Sequence, residues 1–267
     1  MKHARIGQGE RVAQRRLGMV ECGWRGLSEG WLLRHLGDVH WQQIADAMGQ
    51  KAALFHDATG APVYAAFCAI SEQIMRPALA RPGAVLTITS RLRRLSATRL
   101  ISFHGLDIDG AAFAEVTLIT AFVRHGAGGN AQIRRAQPCG VLDIAAMEPG
   151  ADGGFAEEAA SLYRGAAATP PAATTDVTPC PTTEFNAAGL LYCANYPALA
   201  DRAEWALWPE QGQRLLTTRK VVYLGNVDAG APVTARLWRD LSVADRHHLT
   251  LDSQGRVIAR VITDKAN

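Results

Sequence analysis

Apolar and polar positions follow two different periods along the first half of this chain of 267 residues. From Gly26 to Met48 the apolar residues recur at the spacing of an α-helix, with Ser28 near its start as a candidate N-cap. The runs VLTITSRLRRL, TRLISFHGLDI and AEVTLITAFVRH alternate instead, as strands do, and ALFHD and VYAAFCAI flank the turn text DATGAP as a hairpin. One long helix followed by antiparallel strands predicts an α+β unit. The apolar helix positions are Trp31, Leu32, Leu33, Leu36, Val39 and Ile44.

The second half repeats this order. A helix is predicted to start at Gly189 in GLLYCANYPALADRAEWAL, and the last strands, HHLTL and RVIARVIT, flank the turn DSQG. Two sets of residues align between the halves, which predicts an internal duplication. The first set aligns Gly26-Leu27, Asp38 and Trp41 with Gly189-Leu190, Asp201 and Trp205, if one residue is inserted. Further along the chain, Gly83-Ala84 with Thr87 corresponds to Gly230-Ala231 with Thr234.

A stretch rich in Ala, Thr and Pro separates the two halves. It contains AAATPPAATTDVTPCPTT and has few large apolar residues, so it predicts an extended linker. The predicted organisation is an N-terminal unit at 1–148, a linker at 149–183 and a C-terminal unit at 184–267.

Composition removes several classes of protein. The chain has no run of eighteen apolar residues and no apolar core near its N-terminus, so we expect a cytoplasmic protein without a membrane span. The net charge of +3 argues against nucleic acid but suits a local anionic partner such as a coenzyme phosphate or an acidic carrier protein. The five scattered cysteines predict neither a disulfide framework nor a metal site.

Several strings carry a resemblance to known proteins. FNAAGLLYCANYPALADRAEW, VVYLGNVDAGAPVTARL and DSQGRVIAR resemble the hot-dog thioesterase and dehydratase superfamily. GLSEGWLLRHLGDVHW and DATGAPVYAAFCAI resemble the double hot-dog bifunctional acyltransferase/decarboxylase of the leinamycin biosynthesis type. The resemblance implies two tandem hot-dog units, each a long helix wrapped by an antiparallel sheet.

The resemblance also implies a reaction. Enzymes of this type take a malonyl or methylmalonyl group from coenzyme A, decarboxylate it and load the acyl group on an acyl carrier protein. Tyr64, in GAPVYAAF, occupies the place of the catalytic tyrosine and would act as nucleophile or proton donor. No cofactor is expected beyond the coenzyme A thioester itself, and a double hot-dog chain is compatible with association into a homo-oligomer.

Decarboxylation of a malonyl thioester leaves an enolate, whose charge needs fixed hydrogen-bond donors. Helix starts offer backbone N–H groups, and glycine lets a ligand approach them, so Gly26, Leu27 and Ser28 are candidate binding residues, as is Gly189. The candidate side-chain donors are Asn186, Asn195 and Asn226.

Simpler interpretations stand beside these. Tyr64 fits a packed tyrosine with its hydroxyl at the rim, and the three asparagines fit cap and turn residues. We expect His40 to be a packed or surface residue and His247-His248 to be a solvated strand start.

Other functions remain open for the same fold. A hot-dog thioesterase would use a carboxylate near a helix start, for which Glu29 and Glu184 are candidates. A dehydratase would need a histidine-containing pattern that the sequence lacks. A non-catalytic protein that binds an acyl carrier or acyl ligand is the third alternative.

Overall fold

A computed structural model describes residues 2–7, 9–165, 169–240, 242–243 and 245–266 of the chain. The chain divides into two compact units. The first combines Met1–Arg124 with Arg134–Gly154, and the second combines His125–Ile133 with Phe155–Asn267.

The first unit packs one long helix against an antiparallel sheet, in which strand order is β1-β2-β7-β8-β9-β6. Apolar residues of the helix and of five strands share one buried cluster, which includes Ile44, Phe55, Ala65, Leu92 and Phe122. Burial of these side chains away from water holds the helix on the sheet. The elements are β1 (Lys2–Gly7), β2 (Glu10–Arg16), β3 (Cys22–Gly23), β4 (Gly26–Leu27), α1 (Glu29–Ala47), β5 (Phe55–His56), β6 (Pro62–Ile74), β7 (Val85–Arg94), β8 (Arg99–Ile108) and β9 (Ala111–Gly126).

The predicted helix and hairpin of this unit are confirmed. Helix α1 begins directly after Ser28, whose hydroxyl oxygen accepts a hydrogen bond from the backbone N–H of Trp31. The apolar positions that predict the helix are buried, except for the half-buried Trp31. Strands β5 and β6 form the expected hairpin, in which Phe55 pairs with Val63.

The second unit has the strand order β12-β15-β14-β13-β11. Its central helix buries Tyr196, Leu199, Ala200 and Ala203. The elements are β10 (Gly129–Arg135), α2 (Phe155–Arg164), β11 (Ala173–Val177), α3 (Pro181–Glu184), α4 (Asn195–Leu207), α5 (Pro209–Gly212), β12 (Leu215–Tyr223), β13 (Val233–Arg239), β14 (Arg246–Ser253) and β15 (Arg256–Ala266).

The two units share one topology, as the internal duplication predicts. Five strands of the sheet match between the units, one from before the central helix and four from after it, in the order β2-β7-β8-β9-β6 in one unit and β11-β13-β14-β15-β12 in the other. Irregularities recur at matching places. The pairing of β8 with β9 shifts after Leu106, and that of β14 with β15 shifts after Leu251. The bulge at Cys68 in β6 matches the bulge at Thr217 in β12.

Two predictions for the second half need correction. Helix α4 begins at Asn195, six residues after Gly189, because the intervening backbone is held in a turn by asparagine side chains. The stretch 149–183, predicted as an extended linker, contains helix α2 and strand β11, which pairs with β13. Phe155 is buried in α2, which gives that helix an apolar anchor. The predicted domain boundaries stay a prediction.

Candidate functional site

A small hairpin fixes the start of α1 in the first unit. Strands β3 and β4 pair Cys22 with Leu27, and Ser28 donates its backbone N–H to the carbonyl of Glu21 at 2.8 Å. Gly26 has a φ of +84°, and a Cβ there would lie 3.3 Å from the carbonyl oxygen of Pro77. The positive φ therefore favours glycine at Gly26, where a Cβ would also crowd the Pro77 carbonyl. Gly26 and Leu27 lie in β4, just before the helix.

Glu21 is the buried acid of this hairpin. Its carboxylate accepts the backbone N–H of Gly18 at 2.8 Å and forms an ion pair with Arg15. Burial alone would raise the pKa of Glu21, but the backbone hydrogen bonds and the Arg15 guanidinium hold the pKa below its usual value. The hairpin before α1 is thus held by a charged side chain.

The first turn of α1 offers backbone donors. The hydroxyl and carbonyl oxygens of Ser28 accept the N–H groups of Trp31 and Leu32. The backbone N–H groups in the first turn of an α-helix have no acceptor within the helix, and α1 begins at Glu29. Gly30 has no side chain, and the Arg34 guanidinium lies against it and donates to its carbonyl at 3.1 Å. The start of α1 is therefore suited to an anionic oxygen.

At the start of α4, by contrast, the backbone N–H groups already donate to carbonyls of the preceding turn. The N–H of Asn195 donates to the carbonyl of Tyr192 at 2.8 Å, and that of Tyr196 donates to Cys193 at 3.3 Å. Pro197 has no N–H to offer. Three of the first four backbone positions of α4 are thus closed to a ligand, so the two helix starts are not chemically equivalent.

The structure brings Asn186, Gly189, Asn195 and Asn226 together around this turn. The side-chain oxygen of Asn186 accepts the N–H groups of Ala188 and Leu190 at 3.0 and 3.1 Å. Gly189 takes a φ of +71° at the tip of the turn. This part of the predicted site is a hydrogen-bonded turn.

The amide groups of Asn195 and Asn226 also bind the backbone. Asn195 donates to the carbonyl of Glu184 at 2.6 Å. Buried Asn226 accepts the N–H groups of Leu191 and Val227, both at 2.9 Å, and donates to the carbonyl of Leu191 at 3.1 Å. In the structure, these amides therefore position the chain before α4.

Asn130 of β10 also binds this turn, and no sequence pattern predicts it. Its amide donates to the carbonyls of Gly189 and Val227 at 2.6 and 2.9 Å, and its backbone N–H donates to Asp228 at 2.9 Å. Asn130 stands between a glycine pair and a polar strand, so its sequence context resembles an ordinary turn. Its contacts lie 59 and 97 residues away along the chain, where local patterns carry no signal.

Tyr64 lies on β6, half-buried, and pairs in register with Val123 of β9. Its neighbours Val63 and Ala65 are buried in the apolar cluster beneath α1. Because successive side chains in a strand point to opposite faces, Tyr64 faces away from this cluster.

The two candidate carboxylates differ in their surroundings. Glu184 accepts the backbone N–H of Cys180 at 2.5 Å and pairs with Arg202 at 2.7 Å. Glu29 is half-buried in the first turn of α1, beside the backbone donors of that helix start. Of the two, Glu29 is the one that lies in the first turn of a central helix.

A buried chain of hydroxyls and imidazoles lies beneath α1. Nδ1 of His40 contacts the Ser102 hydroxyl at 2.7 Å, and its Nε2 contacts Thr120 at 2.8 Å. His104 contacts Ser102 at 2.9 Å and Ser90 at 2.8 Å. Burial lowers the pKa of both histidines to about 3, so both are neutral at ordinary pH. The packed placement of His40 agrees with the expectation from sequence.

The second unit holds a charged cluster beneath α4. The buried carboxylate of Glu204 contacts Nε2 of His247 at 2.8 Å and Nζ of Lys265 at 2.6 Å. Burial alone would raise the pKa of Glu204, but His247 and Lys265 hold the pKa below its usual value. The prediction that His247 is solvated is wrong, because its side chain turns inward to this acid. His248 is the more exposed member of the pair.

Among the described residues, no group of three or more His, Cys, Asp and Glu side chains is arranged to hold a metal ion. Within the same part of the chain, no helix is long and apolar enough to cross a membrane.

A scan against protein-family models finds no match, and a search of curated protein sequences finds none either. Solved structures match over nearly the whole chain. An acyl-ACP thioesterase from Bacteroides thetaiotaomicron matches with a TM-score of 0.69 and 11% identity, covering 98% of this chain and 100% of its own. The 12:0-ACP thioesterase from Umbellularia californica matches with a TM-score of 0.70 and 10% identity, covering 98% and 99%.

A MaoC-like dehydratase from Phytophthora capsici is also similar, with a TM-score of 0.51 and 12% identity over 77% of this chain and 72% of its own. At these identities the likeness concerns the fold. The shared topology of the two units and the match to two acyl-ACP thioesterases lead to one conclusion: the chain has an α+β double hot-dog fold.

Proposed function

We propose that this protein is an enzyme that acts on acyl thioesters of coenzyme A or of an acyl carrier protein. The observation that carries the proposal is the match along both hot-dog units to two acyl-ACP thioesterases. A thioester reaction of either kind places negative charge on the carbonyl oxygen, and the N-terminal end of α1, which begins at Glu29, would stabilise that charge through the helix dipole.

Hydrolysis is the reaction that the solved structures support. Water would attack the thioester carbonyl while the Glu29 carboxylate accepts its proton. The charge on the carbonyl oxygen would be stabilised by the first-turn N–H groups of α1. The carbon–sulfur bond then breaks, and the thiolate takes up the proton to leave as the free thiol.

Decarboxylative transfer is the second candidate, and the strings around Tyr64 favour it through their resemblance to the bifunctional acyltransferase/decarboxylase. Tyr64 is half-buried and faces away from the core, which suits a side chain that meets a substrate. Loss of carbon dioxide would leave a thioester enolate, which is then protonated at carbon. The phenol oxygen of Tyr64 would then attack the acyl carbonyl, so that the carbon–sulfur bond breaks and coenzyme A leaves as the thiol with the phenol's proton. The carrier thiol would next attack the tyrosyl ester, forming the new thioester while its proton returns to the phenol.

The experiment follows three products at once. Purified protein is mixed with methylmalonyl-coenzyme A, or with acetyl-coenzyme A, in the presence of a holo acyl carrier protein. Intact-mass spectrometry reports the carrier and the enzyme, and chromatography reports free acid and coenzyme A. Wild type is compared with Glu29→Gln and Tyr64→Phe, and Tyr163→Phe, at an exposed position on α2, is the matched control.

Free acid that is lost with Glu29→Gln supports hydrolysis. A propionyl carrier that is lost with Tyr64→Phe supports decarboxylative transfer. No turnover of either thioester by the wild-type protein overturns the proposal in favour of a binding protein.

A further inference from the structure

An apolar and basic surface borders the start of α1. Three large apolar side chains stand out of the hairpin segment 18–25, where Met19 is 84% exposed, Val20 73% and Trp24 74%. Soluble proteins rarely expose three such side chains so close together in one segment without a partner. We call this surface, with the arginines named below, the hairpin patch.

Two segments of the first unit build the hairpin patch. Two backbone hydrogen bonds join the segments. Gly83 donates its N–H to the carbonyl of Leu17 at 2.8 Å, and Leu17 donates its N–H to the carbonyl of Ala84 at 2.8 Å. A Cβ on Gly26 would nearly touch the carbonyl of Pro77. The turn at 76–83 therefore lies directly beside the hairpin.

Arginines are concentrated on these two segments. Arg15 pairs with Glu21 and Arg81 pairs with Asp109 at 3.2 Å. Among the side chains that the structure describes, no carboxylate forms an ion pair with the three remaining exposed arginines. These are Arg16, Arg25 and Arg76.

The arginines lie close to exposed apolar groups. The Arg25 guanidinium lies over the Trp24 ring, 4.9 Å from its centroid. This cation–π contact places a positive charge beside an exposed aromatic ring. The whole chain has a net charge of only +3, so three uncompensated arginines in one patch create a local positive field.

From this surface we infer that the hairpin patch docks an acidic acyl carrier protein whose pantetheine arm reaches the start of α1. The inference rests on the proposed function. The arm is attached to its carrier through a phosphodiester, and arginine is the side chain best suited to bind such an anion. The backbone link from Glu21 to Ser28 joins the patch to the helix start, so a carrier seated here would deliver its thioester to the first turn of α1.

Two substrates separate docking from chemistry. Turnover of an acetylated acyl carrier protein is compared with turnover of S-acetyl pantetheine, which has neither the carrier nor the phosphate. Direct binding of holo carrier protein is measured by calorimetry at low salt. The variants are Arg25→Glu with Arg76→Glu, and Trp24→Ser. The matched charge reversal is Arg256→Glu, at an exposed arginine that begins β15.

We expect the double reversal to lower kcat/KM for the acetylated carrier at least tenfold and to leave acetyl-pantetheine within twofold of wild type. Trp24→Ser should weaken carrier binding about tenfold, and Arg256→Glu should change neither measurement. Raising the salt concentration should weaken binding by the wild type more than binding by the double reversal.

Equal losses on both substrates, or full activity of the patch variants on the carrier, would overturn the inference. So would Trp24-dependent binding to phosphatidylserine vesicles or Trp24-dependent self-association, each without carrier binding. If the wild type turns over neither substrate, the proposed function fails, and the calorimetric titration still decides whether the patch binds the carrier.

Discussion

His40 of α1 and Glu204 of α4 occupy equivalent positions in the two hot-dog units. His40 contacts Ser102 of β8, four residues before the shift that follows Leu106. Glu204 contacts His247 of β14, four residues before the shift that follows Leu251. Each unit therefore has a polar contact between its central helix and its sheet at the equivalent position, but the side chains that form the contact differ.

The third members of the two clusters match as well. Thr120 pairs with Phe67, and Lys265 pairs with Leu216, each one step before the bulge of the neighbouring strand. Three neutral side chains in one unit thus correspond to a carboxylate, an imidazole and an ammonium in the other. The two clusters should respond differently to mutation and to pH.

Replacing Glu204 tests the charged cluster. Glu204→Gln keeps the shape of the side chain but leaves the buried ammonium of Lys265 without its counter-charge. We expect the free energy of unfolding to fall by about 3–5 kcal/mol, as when one partner of a buried ion pair is removed. Urea denaturation followed by circular dichroism measures the change.

Glu158→Gln is the matched control, because Glu158 pairs with Lys220 at a partly exposed site. Its expected cost is about 0–1 kcal/mol. Equal costs for the two variants would show that the Glu204 cluster does not depend on its charges.

Acid should destabilise the first unit through its buried histidines. The folded-state pKa of His40 and of His104 is about 3, against an ordinary value of 6.5. Below pH 6.5 these two imidazoles are therefore protonated in the unfolded chain and remain neutral in the folded protein. Stability is present above pH 6.5 and is lost as the pH falls toward 3, at up to about 1.4 kcal/mol per pH unit for each imidazole.

The measurement is the free energy of unfolding from urea titrations between pH 8 and pH 4. His40→Gln should reduce its slope on the acid side, because one of the two titrating groups is gone. Proton NMR provides a second readout that does not depend on the variant folding. Imidazole resonances of His40 or His104 that titrate near pH 6 in the native protein would contradict the prediction.

The sequence predicts the fold well where local patterns decide it. The period of α1, its Ser28 cap and the hairpin at β5 are set by neighbouring residues, and all three are confirmed. The start of α4 depends instead on Asn226, which binds Leu191 from 35 residues away. No local pattern contains that contact.

The site was harder to predict for the same reason. His247 looks like a polar strand residue, and only the fold shows that Glu204, 43 positions earlier, lies against it. Asn130 contacts Gly189 and Val227 across similar distances in sequence. The residue type shows which chemical group a position offers. The residues that this group contacts depend on how distant parts of the chain are brought together by the fold.

Asn226 should be essential to the turn before α4. Asn226→Ala leaves the backbone N–H groups of Leu191 and Val227, and the carbonyl of Leu191, without their side-chain partner. The expected loss is about 2–3 kcal/mol of unfolding free energy, because buried polar groups without partners are costly. Thermal and urea denaturation measure it.

Asn226→Asp separates the two roles of this side chain, since it keeps the acceptor for both N–H groups and loses only the donor to Leu191. We expect it to retain more of the stability than Asn226→Ala. A larger loss for the aspartate would show that the donated bond, or the added charge, decides the outcome.

Cys180 should be the faster of two cysteines to react with an alkylating reagent. Hydrogen bonds from the Thr183 hydroxyl and from the backbone N–H groups of Thr183 and Thr182 lower the pKa of the exposed Cys180 thiol. Burial raises the pKa of Cys68, which lies in the bulge of β6. Because the thiolate is the reactive form, iodoacetamide at pH 7.5 should label Cys180 at least tenfold faster than Cys68.

Peptide mass spectrometry over a time course gives both rates in one sample. Thr183→Val removes the hydroxyl hydrogen bond while keeping the shape of the side chain. It should slow the labelling of Cys180 severalfold and leave that of Cys68 unchanged, because the substitution alters the accessibility of neither thiol. An unchanged Cys180 rate in Thr183→Val would mean that exposure alone governs the reaction, because a hydroxyl that stabilises the thiolate cannot be removed without raising the pKa of the thiol.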